Sequence, residues 1–76
     1  MYVKPKQIAE IADRMQPLFE IGPLNSQSRI GEIARHAADE LADAGLPTRR
    51  SLCFTVANVA LMTWQENITQ TRKALS

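Results

Sequence analysis

Cys53, His36 and the adjacent Arg49 and Arg50 hold most of the chemical potential of this 76-residue chain. A single cysteine and a single histidine could act as nucleophile and base only if their side chains came within hydrogen-bond reach. Their spacing argues against it. In a helical hairpin turning near Leu46, His36 lies level with Ala57, about four residues or roughly 6 Å along the axis from Cys53. The stretch around the thiol, "RRSLCFTVANVALMTW", is apolar, and such surroundings raise a thiol's pKa and make it inert. Cys53 therefore reads as a small buried hydrophobe, and His36 as a residue of the flank or surface.

Asp39 and Asp43 share a helical face with Glu40 beside them, which reads as a solvated acidic face rather than an acid–base pair. There is no phosphate-cradling glycine loop, and the cysteine and histidine counts leave no metal cluster. The chain is accordingly expected to be non-enzymatic, with no catalytic residue, cofactor, metal or small-molecule substrate.

The arginines raise a different chemistry. "DELADAGLPTRRSLCFTVANV" has the helix, glycine turn and helix order of a helix-turn-helix. In that motif the start of the second helix meets base edges, which would make Thr48, Arg49, Arg50 and Ser51 the nucleic-acid contacts. An arginine fork can pair with guanine, and a helix N-terminus can seat a phosphate. Past its first turn, however, a groove-facing side must stay polar. The rows leading on from the arginines are Cys53, Ala57 and Ala60, or Phe54, Ala57 and Leu61. Ser51 also falls where a recognition helix places an apolar core residue. With a net charge of +1, composition does not add to the case. DNA binding is the alternative reading. In the favoured one the arginines offset Asp39, Glu40 and Asp43, whose charges sit at a helix end that the macrodipole makes unfavourable for them.

The elements that would position these residues are helices. Apolar residues recur at helical spacing, and strand-like alternation is absent. Ile8, Ile11, Ala12, Met15, Leu18 and Phe19 form a first stripe over residues 5–20, with Pro5 in the first turn. Pro17 must kink this helix near Met15–Gln16 or begin a new turn, because it removes the bond to the carbonyl of Asp13. A second helix over 26–44, capped from Asn25, Ser26 or Ser28, buries Ile30, Ile33, Ala34, Ala37, Leu41 and Ala44. Ala34, Ala38 and Ala42 form a row of small residues on it. Gly45 ends it in the left-handed region, and Pro47 follows. A third helix over 48–73, capped by Thr48, is apolar nearly all round from Leu52 to Trp64. Such a helix is covered on several sides. Ser51, Thr55, Asn58, Gln65, Thr69 and Arg72 form its one narrow polar row, and Asn58 is expected to face solvent there.

The expected fold is all-α: a short kinked first helix, then an antiparallel hairpin of the second helix with a long apolar third, in a single domain over 1–76. A chain of this mass buries roughly 60% of its unfolded surface, which is marginal. With no disulfide available, association is the remaining stabilising device. The third helix, at roughly 39 Å, outruns the second at roughly 28 Å. Along it Phe54, Leu61, Ile68 and Leu75 recur every seven residues, with Ala57 and Trp64 between, and these six are the expected partner-binding residues. The sequence therefore predicts a protein-interaction module or accessory regulator that binds itself as a homodimer, a larger protein, or both. The apolar run of about thirteen residues is too short for a membrane span of about twenty. The N-terminus shows no signal-like apolar region, so a cytoplasmic setting is expected.

Overall fold

The computed structural model describes residues 3–25 and 27–75, with side chains as far as Thr71. Its helices are α1 (Pro5–Arg14), α2 (Gln16–Glu20), α3 (Ile30–Asp43) and α4 (Arg50–Leu75). Helices α1 and α2 divide what the apolar stripe suggested was one helix, so the all-α three-helix arrangement holds.

Proline chemistry sets the division. Pro5 starts α1, where its missing N–H costs nothing, and the Lys4 N–H donates to Gln7 Oε1 at 2.9 Å. At the other end the Met15 N–H is shared between the carbonyls of Ile11 and Ala12, at 3.2 and 3.1 Å. Pro17 then falls in the first turn of α2, again a position that needs no donor. The break costs little because both proline ring positions coincide with helix starts. Met15, at the corner, is fully buried.

After α2 the chain folds back tightly. The Leu24 N–H donates to the Leu18 carbonyl at 3.1 Å, which carries Leu24 into the core. A Cβ on Gly22 would lie 2.7 Å from the backbone of Leu18, so only glycine fits this fold-back. The expected start of the second helix at residue 26 is corrected here. Asn25 Oδ1 accepts from the Gln27 N–H at 2.8 Å, and Ser28 Oγ accepts from the Asn25 N–H at 2.9 Å. These side chains therefore build a turn, and α3 begins at Ile30 with Arg29 at its N-cap. Asn and Ser satisfy neighbouring amides in a turn as readily as at a cap.

The far end of α3 behaves as the sequence predicts. Gly45 has φ 74°, its N–H donates to the Ala42 carbonyl at 3.0 Å, and the Leu46 N–H donates to the Leu41 carbonyl at 2.9 Å. This is a Schellman closure, with Leu46 folded back onto the core. Thr48 does not cap the next helix. α4 starts two residues later, with the Arg49 carbonyl accepting from the Cys53 N–H at 2.9 Å.

In the core, Ile11, Ala12, Met15, Phe19 and Leu24 meet Ile33, Ala34, Ala37 and Leu41, and both groups close on Cys53, Val56, Ala57 and Ala60 of α4. Helix α3 runs antiparallel to α4 across the short turn. Helices α1 and α2 run parallel to α4, since Gln16 reaches Ala60 and Phe19 reaches Trp64. The molecule measures 44 × 23 × 17 Å, and its long axis matches the length of α4.

The glycine at the end of α3 gives a direct test. Gly45→Ala should lose about 1–2 kcal/mol, the cost of placing an L-residue in the left-handed region. Gly31→Ala, in a helix with open space around the position, should instead gain roughly 0.5–1 kcal/mol. Urea melts of the two variants should move in opposite directions, and equal shifts would contradict the described turn.

Candidate functional site

The residues singled out for binding lie on α4 or, for Thr48 and Arg49, directly before it. Its buried side is set by small residues: Ala57 and Ala60 are fully covered, as is Val56. Ala57 therefore leaves the expected partner-binding set, because it is used up inside the chain. Phe54, Leu61, Trp64 and Ile68 are half-buried. The first three lie against the core cluster with one side and face outward with the other. The side chain of Leu75 lies outside the described residues.

Trp64 is more deeply committed than its spacing implied. Its ring stacks on Phe19 at 5.7 Å between centroids and 18° between planes, within the range of attractive aromatic pairs. This contact ties α2 to α4. One turn earlier, Gln16 Nε2 donates to the Ala60 carbonyl at 3.2 Å and to the Ala12 carbonyl at 3.0 Å. Gln16 was not singled out from sequence, since a lone glutamine beside a proline carries no spacing signal. Its Oε1 is buried without a hydrogen-bond partner.

Past Trp64 the helix runs on beyond the fold-back. A shallow groove there is lined by Glu20, Trp64, Asn67, Ile68 and Thr71. Met62 is 58% exposed on the outer side of α4, and Ile21, next to Glu20, is 91% exposed. The outer row of Ser51, Thr55, Asn58, Gln65 and Thr69 faces solvent. Thr55, Thr69 and Thr71 donate their hydroxyls back to the carbonyls of Ser51, Gln65 and Asn67 at 2.9 to 3.0 Å, so these threonines satisfy their own helix. Asn58 lies on this row and is exposed, as its spacing predicts.

At the start of α4, Thr48, Arg49, Arg50 and Ser51 are all exposed. Near the acidic end of α3, Glu40 Oε2 is held by Arg14 Nε at 3.3 Å, so this one carboxylate is met from α1. The Arg50 guanidinium lies 5.7 Å from the centre of the Phe54 ring, a cation–π position. The missing signal was three-dimensional: Arg14 is 26 residues from Glu40, and only packing makes them neighbours.

Cys53 is buried, and its thiol donates to the Thr48 carbonyl at 3.5 Å. Burial pushes its pKa up, partly offset by hydrogen bonding with the backbone. His36 is half-exposed on α3. Among the described residues no group of acidic, histidine and cysteine side chains could hold a metal ion, and no helix is long and apolar enough to cross a membrane. No family model, curated protein or solved structure matches the chain.

Two outcomes follow from this geometry. Trp64→Ala should cost about 2 kcal/mol or more in thermal unfolding of the dilute protein, since it removes the stack that pins α2. No change in stability would contradict the Phe19 contact. For Cys53, a folded pKa raised above its unfolded value means that the unfolded chain releases its proton first. Stability is then full below the unfolded thiol's pKa and falls as pH rises through the folded one. The stability of wild type should decline from about pH 8.5 upward relative to Cys53→Ala, and parallel pH profiles for the two proteins would contradict the burial of the thiol.

Proposed function

We propose that the protein is a non-enzymatic interaction module, an accessory regulator that works by binding another protein surface along α4. The observation that carries this reading is the division of labour on that helix. One side, from Cys53 to Ala60, supports the bundle. A flank holding Phe54, Leu61 and Ile68 stays partly open. The last third continues past the bundle, with Ile68 and Trp64 lining its groove. Half-covered apolar residues on a projecting helix fit the helix-on-helix mode of recognition, in which anchors at spacings of three, four and seven residues enter a complementary face. Catalysis finds little support: the one thiol is buried with a raised pKa.

The second reading rests on the exposed Thr48, Arg49, Arg50 and Ser51 directly after a tight turn, where a helix-turn-helix protein meets DNA. The helix row beyond them returns into the core at Cys53, Ala57 and Ala60, which limits any groove contact to about one turn. That geometry favours the protein partner.

One pair of variants separates the two. Ile68→Asp should abolish association, whether with itself or with a captured protein, while leaving the helicity of the folded chain unchanged. Arg49→Ala combined with Arg50→Ala should leave association intact and cost about 0–1 kcal/mol, as exposed charges do. The opposite pattern, with a DNA complex that weakens steeply with salt and is lost with the arginines, would replace this reading with nucleic-acid binding. Ile68 is the better probe than Trp64, whose loss also disturbs α2.

A further inference from the structure

We infer that the occupant of the open flank of α4 is a second copy of this chain, its α4 laid antiparallel to the first. The inference rests on the interaction-module reading and names its partner. Folded monomers of 8.5 kDa expose about 4,650 Å² by size scaling, and this chain exposes 5276 Å². The radius of gyration, 12.5 Å, likewise exceeds the roughly 11.4 Å of a compact domain of this length. The surplus is about 600 Å², and α4 is the element that outruns its neighbours. Removing that surplus from each of two copies would bury about 1,200 Å², the lower edge of specific interfaces. A dimer along α4 would thus bring each chain to the exposure of a compact domain.

The row itself is self-complementary. Phe54, Leu61, Ile68 and Leu75 are evenly spaced at seven residues, the repeat that keeps one seam facing a partner helix. An antiparallel pair with its two-fold axis between Trp64 and Gln65 sets Leu61 opposite the partner's Ile68, and Phe54 opposite the partner's Leu75. Every member of the row then has an apolar counterpart, as an isologous interface requires. A parallel pair would also align the row, but it would set the sequence positions Arg72 and Lys73 beside their own copies, and like charges so placed repel. In the antiparallel pair they lie level with the partner's Ala57 and Val56, and the two helix dipoles oppose.

The test uses the full chain. Wild type should sediment as a dimer at micromolar concentration, and Ile68→Asp should raise the dissociation constant at least tenfold, with the helical circular dichroism spectrum kept and the concentration dependence of melting lost. Under mild oxidation Gln65→Cys, next to the axis, should form a disulfide-linked dimer by itself. Asn58→Cys should do so only when mixed with Arg72→Cys. A linked dimer from Asn58→Cys alone would overturn the antiparallel arrangement. A wild-type monomer at submillimolar concentration would overturn the second copy altogether. If that monomer still retained another protein in an Ile68-dependent way, the interaction-module reading would stand without this inference; if it retained none, both would fall.

Discussion

The structure depends on how little space α4 takes up on its buried side. Ala57 and Ala60, both fully covered, lie along it with Val56 and Cys53. Side chains this small let two helices approach one helix from neighbouring directions, so Met15 and Phe19 arrive from one direction, and Ile33 and Leu41 from another. Replacing either alanine with a larger residue would push one of these neighbours away, and close-packed interiors give such a change no room. The bundle is a pair of helices leaning on a third, and the third is the axis of the molecule.

This arrangement has a second side. A helix with two neighbours covers about half of its circumference, and α4 is also longer than either neighbour. Its remaining apolar positions are therefore neither fully in the core nor fully in solvent. Phe54 has the Arg50 guanidinium on its face, and Trp64 has Phe19. Ile68 lines the shallow groove with Glu20, Trp64, Asn67 and Thr71.

The all-α fold was legible in the sequence because its signals are local. Helical spacing marked the three stripes, Gly45 marked the end of α3, and the run from Leu52 to Trp64 marked a covered helix. Cys53 read as a core residue and Asn58 as exposed, and both are so placed. The start of α3 was misread because Asn25 and Ser28 suit a turn as well as a cap, and nothing local tells the two apart. Ala57 was misplaced for a related reason. A heptad row and a core row overlap on the same helix, and which one an alanine joins depends on where the neighbouring helices lie. The Arg14–Glu40 pair and the Gln16 bridge to Ala60 lie beyond local reading altogether, since each joins residues that only the packed bundle brings together.

The parallel run of α1 beside α4 has a kinetic side. Helices α3 and α4 are joined by a short turn, so their pairing closes a small loop and can form early. The Gln16–Ala60 contact spans 44 residues, and closing it must wait until the hairpin has offered α1 a surface, because distant contacts carry the larger loop entropy. On a ribosome the order of synthesis runs the other way: α1 precedes both of the helices it packs against, and meets α3 before α4. Until they follow, its apolar stripe lacks the surfaces that it covers in the fold.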